Sequence, residues 1–159
     1  MSLAARKNIG AFVKSVIGYT GPTNVTAGAG NNASAITGSV IDLLAAATGG
    51  RPLSVSVAFP LKATLSNANT LSLAAYLQTT ADGTNGPWVN VATMPAAVAV
   101  TGITSNAAQY TSVDFDVDLS AAKQYISVVY TATMSNASLD TANIYPPVLI
   151  LAGQSELPV

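Results

Sequence analysis

Residues 53–61 alternate between large apolar and small or polar side chains. Leu53, Val55, Val57, Phe59 and Leu61 fall on one side, and Ser54, Ser56, Ala58 and Pro60 on the other. Successive side chains of a strand point to opposite faces, so this is the period of a strand with one buried face. Pro60 has no N–H to donate, which assigns it to a strand end or a sheet edge. Leu71, Leu73, Ala75 and Leu77 alternate in the same way with Ser72, Ala74, Tyr76 and Gln78. The run Asp82-Gly83-Thr84-Asn85-Gly86-Pro87 is dense in turn-forming residues, and Trp88–Val91 reads as a returning strand. Residues 70–92 are therefore expected to form a hairpin.

Further runs follow the same rule. Val113, Phe115, Val117 and Leu119 alternate with Asp114, Asp116 and Asp118, and Ile126, Val128 and Tyr130 share one face of Tyr125–Thr133. Ile36–Leu44 reads as a strand holding one acid, Asp42, in apolar surroundings, with a turn at Gly49-Gly50. Val98–Ile103 is apolar and β-branched, Asn136–Asn143 reads as a loop, and Tyr145–Ala152 closes the chain. Residues 20–35 are small and polar, as in a loop or linker. In residues 1–19, Ile9, Phe12, Val13, Val16 and Ile17 fit a short amphipathic helix, but an extended arm or a first strand fits as well. About eight short strands at spacings of roughly 8–12 residues, with no recurring helical pattern, imply an all-β fold. The expected architecture is an antiparallel β-sandwich, jelly-roll-like, formed by residues 36–159 behind an N-terminal arm or loop segment at 1–35.

The chemistry open to this chain is narrow. Six basic and seven acidic residues make up 8% of its 159 positions, where about 25% is usual. There is no His and no Cys. Disulfides and thiolate metal sites are thereby excluded, and Ser or Thr nucleophiles lack their commonest activating base. No phosphate-cradling glycine motif occurs; Gly28-Ala-Gly30 is too short for one. The expectation is a protein that is not an enzyme and carries no cofactor. A net charge of −1 offers no general attraction to nucleic acid or to an anionic membrane. The charge-free stretch from Gly83 to Val113 is broken by Pro87, Asn90, Pro95, Asn106 and Gln109, so it does not read as a membrane span. No secretion signal is evident, and the Asn24, Asn32 and Asn136 triplets that match the glycosylation pattern read as chance in an Asn- and Thr-rich chain. A surface this poor in charge suits a protein that is covered by partners.

Few constellations remain. Asp114, Asp116 and Asp118 would line one strand face at intervals of roughly 6.5–7 Å. They are weak candidates for a hard cation, against a solvated face whose charges discourage edge pairing. Trp88, Tyr76, Tyr110 and Tyr125 would suit a sugar-stacking platform, or core and cross-strand packing. Arg6, Lys7, Phe12 and Lys14 are candidates for partner contact, in an arm reaching an acidic neighbour.

The order of segments carries a resemblance. Gly38-Ser-Val-Ile-Asp42-Leu43 precedes Leu71-Ser-Leu-Ala-Ala-Tyr-Leu77-Gln78, the turn at Asp82-Gly83 and Gly86-Pro-Trp88-Val-Asn-Val91. Lys123-Gln-Tyr125-Ile126-Ser-Val128-Val129-Tyr130 follows, then Leu149-Ile-Leu-Ala-Gly153 with Glu156-Leu157-Pro158. This resembles the small capsid decoration (cement) proteins of tailed phages, over residues 36–158. Two departures stand out: residues 1–35 match no element, and Gln78-Thr-Thr-Ala-Asp82 lacks the usual acids before Asp-Gly. The resemblance implies a jelly-roll-like sandwich on the outer capsid surface of a virion assembled in the host cytoplasm. Its partner would be the major capsid protein, which it stabilises, and it would be a homo-oligomer, dimer or trimer. The alternative function is a carbohydrate-binding β-sandwich serving adhesion on a phage tail or surface.

Overall fold

A computed structural model describes residues 13–27, 34–46, 50–135 and 140–153. Eleven strands and one helical turn make up this part: β1 (Lys14–Ile17), β2 (Thr23–Thr26), β3 (Ala35–Thr37), β4 (Ile41–Asp42), α1 (Leu43–Ala46), β5 (Ser54–Thr64), β6 (Thr70–Thr80), β7 (Val89–Thr101), β8 (Gln109–Asp118), β9 (Tyr125–Met134), β10 (Thr141–Ile144) and β11 (Val148–Ala152). Every pairing is antiparallel.

The eleven strands occupy eight positions, because three positions are each filled by two short strands end to end. β11 and β10 pair in succession with one side of β5, β1 and β2 continue outward from them, and β8 covers the other side of β5. In the second sheet β3 and β4 pair in succession with β9, followed by β6 and β7. Numbered by chain order, the positions run 1-8-3-6 in one sheet and 2-7-4-5 in the other. That interleaving is a jelly roll, the two-Greek-key form of the β-sandwich.

The alternating residues meet between the sheets. Val57, Phe59, Leu71, Leu73 and Leu77 have no exposed surface, and Val55 has 1%. Phe59 stacks on Phe115 with ring centroids 6.3 Å apart and meets Tyr130 edge-on at 5.3 Å. Burying each such large side chain contributes about 1.5–3 kcal/mol.

Several expectations need correction. Pro60 sits in the middle of β5, not at its end. It faces the break between β10 and β11, where no ladder bond is due, and its carbonyl still accepts from Tyr145 N–H at 2.9 Å. Leu53 precedes β5 and is 44% exposed. The single strand expected over Ile36–Leu44 is instead β3, β4 and α1; the Asp42 carboxylate accepts Leu44 N–H at 2.9 Å and so caps the helical turn. The strand expected at Val98–Ile103 is the far end of the 13-residue β7. Part of the expected loop at Asn136–Asn143 is β10, and residues 136–139 lie outside the described residues. Within the stretch 1–35 set apart from the sandwich, Lys14–Ile17 and Thr23–Thr26 are strands of the first sheet.

Candidate interaction surfaces

The three carboxylates fall where alternation places them. Asp114, Asp116 and Asp118 stand opposite Ala58, Ser56 and Ser54 of β5, and all three are exposed on the outer face of the first sheet. Asp118 also accepts Ser120 N–H at 2.8 Å, a bond that holds its carboxyl below the ordinary value and shapes the turn after β8. Among the described residues no three acidic, His or Cys side chains converge as a metal group. Lys14 is exposed at the start of edge strand β1, in register with Leu151. Arg6, Lys7 and Phe12 lie outside the described residues.

Three other charges serve the fold. Asp42 is half-exposed; besides capping α1 it accepts from Gln124 Nε2 at 3.1 and 3.2 Å. Arg51 Nη2 donates to the carbonyls of Leu119, at 3.2 Å, and of Ala122, and so ties down the turn between β8 and β9. Asp140 is 2% exposed, and its carboxylate accepts from Ser66 N–H (2.7 Å), Ser66 Oγ (2.8 Å) and Asn69 Nδ2 (2.7 Å).

Of the other described charges, Asp82 and Lys123 lie in turns and the rest lie on the first sheet. The first sheet carries Lys14, Asp114, Asp116, Asp118 and Lys62, whose Nζ lies 5.6 Å from the Tyr110 ring centroid. The second sheet has no Asp, Glu, Lys or Arg in β3, β6, β7 or β9. Its outer face presents Ser72, Ala74, Tyr76, Thr93, Thr131 and Thr133. Val129 also turns outward, yet it is only 2% exposed in register with Tyr76 and Thr37. Hydroxyls and methyls cost far less to strip of water than charges do. Protein interfaces are likewise depleted of charge at their centres. The sequence held this signal as the charge-free runs 70–80, 89–101 and 125–134, but only the pairing of those runs makes them one surface.

The four aromatic residues do not form one platform. Tyr110 is 69% exposed on the first sheet, whereas Tyr76 lies on the outer face of the second. Trp88 is half-buried beside Gly86 at the β6–β7 turn. Tyr125, at the start of β9, packs against Gly83 so closely that a Cβ there would lie 2.8 Å from its ring. Val40, Ala81, Asp82, Gly83, Thr84 and Tyr125 line a shallow cavity of about 410 Å³ at this end of the sandwich.

Comparison with solved structures places the fold. The infectious bursal disease virus VP2 subviral particle matches with a TM-score of 0.50 and 15% identity. This chain shares its jelly roll with VP2. The match covers 92% of this chain and 33% of the VP2 chain, so this chain spans about a third of VP2's length. A D431N mutant VP2 protein of the same virus, from T=1 particles, matches at 0.50 and 16% identity over 92% of this chain and 32% of that one. A carbohydrate-binding module of the glycoside hydrolase family 9 protein Cel9A from Ruminococcus flavefaciens FD-1 matches at 0.49 and 9% identity, covering 90% and 99% of the two chains. No protein-family model matches the sequence, and neither does any curated protein sequence. Among the described residues no helix is long and apolar enough to cross a membrane.

Proposed function

We propose that this chain is a structural protein of a virus particle, a decoration protein that binds and stabilises a phage capsid from outside. The observation that carries this reading is the outer face formed by β3, β9, β6 and β7, strands that hold no charged residue. A rigid, four-strand-wide surface of small side chains suits close contact with a repetitive shell, because little charge must be desolvated on docking. The jelly roll held in common with a virus particle protein supports the reading at the level of fold, and the segment order resembles that of decoration proteins. The partner on this reading is the major capsid protein, and the working form is a homo-oligomer. The chain's role is contact, with no catalytic step.

The test is reconstitution. The purified chain should rebind phage heads stripped of it and raise the temperature at which they disrupt. Failure to bind heads, together with absence from purified particles, would sink the proposal.

A further inference from the structure

We infer that the cavity between the β6–β7 turn and the start of β9 binds a neutral sugar. The inference is independent of the capsid reading. Tyr125 supplies the platform. Its ring lies against Gly83 of the β6–β7 turn, and its backbone pairs with Asp42 of β4 and Thr80 of β6, which anchors the residue at the end of the second sheet. The carbonyl of Tyr125 also accepts from Thr79 Oγ1 at 2.8 Å. Gly83 covers part of the ring, and the ring surface that borders the cavity offers apolar contact to the C–H groups of a pyranose.

Polar groups border that ring. One oxygen of Asp82 accepts Thr84 N–H at 2.9 Å, which orients the carboxylate. Its second oxygen, the Thr84 hydroxyl and the Tyr125 hydroxyl have no protein partner among the described residues. One charged acceptor and two hydroxyls match the vicinal hydroxyls of a sugar, and hydrogen bonds to an ionised acceptor are the strong ones. Val40 and Ala81 complete an apolar wall.

Other ligand classes fit less well. Among the described residues no Lys or Arg lines the cavity, and Asp82 would repel an anion. A single carboxylate is too few for a calcium ion, which takes six to eight oxygens. A wholly apolar ligand would bury three polar groups without partners.

The experiment titrates the full chain with neutral monosaccharides and short neutral oligosaccharides, followed by amide NMR shifts and Trp88 fluorescence. Saturable shifts confined to Ala81–Thr84, Tyr125 and their neighbours are expected. Asp82→Asn and Thr84→Val, both at exposed positions, should each weaken binding by roughly tenfold, about 1.4 kcal/mol, with unchanged melting temperature. Tyr125→Ala should abolish binding, while Tyr110→Ala should not alter it. No saturable shift with any sugar, or binding indifferent to Asp82→Asn and Thr84→Val, overturns the inference. Head binding by Asp82→Asn should equal that of the parent chain, which separates failure here from failure of the capsid reading.

Discussion

The hydroxyl of Tyr130 lies 2.7 Å from Thr23 Oγ1, a hydrogen bond that spans the sandwich from β9 in one sheet to β2 in the other. Tyr130 is 1% exposed and packs its ring edge against Phe59. Burial pushes its phenol above the ordinary value, so the group stays neutral in the core. Tyr130→Phe should keep the packing and lose the bond, at a cost of about 1 kcal/mol in urea unfolding. Tyr130→Ala should cost about 3–5 kcal/mol, because it also leaves a cavity. No loss in Tyr130→Phe would show that the bond across the core contributes nothing.

Asp140 should make the fold acid-sensitive. Burial pushes its carboxyl up, but the hydrogen bonds from Ser66 and Asn69 outweigh burial and hold it below the ordinary value. A group with a depressed folded pKa adds stability above its unfolded pKa of about 3.9, and that stability is lost as pH falls through the folded value. Asp140→Asn should lower stability by about 1–3 kcal/mol at neutral pH. It should also flatten the acid limb of the stability curve. An unchanged acid limb in the variant would remove Asp140 as the sensor.

Gly102 should tolerate no side chain. A Cβ there would lie 2.0 Å from the Ser66 carbonyl oxygen and 2.9 Å from Leu65 Cβ. The close approach also supports the bond from Gly102 N–H to the Asn69 carbonyl at 2.7 Å. Gly102→Ala should therefore destabilise by about 1–3 kcal/mol, as overpacking does. Thermal unfolding of the variant checks this; a melting temperature equal to that of the parent chain contradicts it.

Charge placed on the second sheet should separate folding from assembly. Thr93 and Thr133 are exposed on its outer face. Thr93→Glu and Thr133→Lys should change folding stability by no more than about 0.5 kcal/mol. On the capsid reading each should strongly weaken binding to stripped heads, whereas Asp114→Asn on the opposite sheet should not. Full head binding by both charged variants would move the contact surface elsewhere.

Much of the sandwich was legible in the chain. β5, β6 and β8 follow from alternation, because a sheet covered on one face imposes a period of two, and β9 follows from the shared face of Ile126, Val128 and Tyr130. The hairpin joining β6 to β7 follows from Asp82-Gly83 and its neighbours. The errors fall where local cues are weak. Thr23–Thr26 and Thr141–Ile144 read as loop because each has a single large apolar residue, Val25 or Ile144; the two strands hold each other, pairing in register between Thr26 and Thr141. Pro60 read as an edge residue because nothing local shows that its partner strand breaks opposite it.

The candidate surfaces divide in the same way. That Asp114, Asp116 and Asp118 share a face was fixed by spacing within one strand. That the chain has little charge, no His and no Cys was equally plain from composition. The charge-free surface of β3, β9, β6 and β7 was decided only by tertiary structure, since these strands become neighbours through pairings between residues far apart in the chain. The cavity at Tyr125 depends in turn on contact between a ring in β9 and a glycine some forty positions earlier. Local periodicity determines which way a side chain points; only the fold determines what it stands beside.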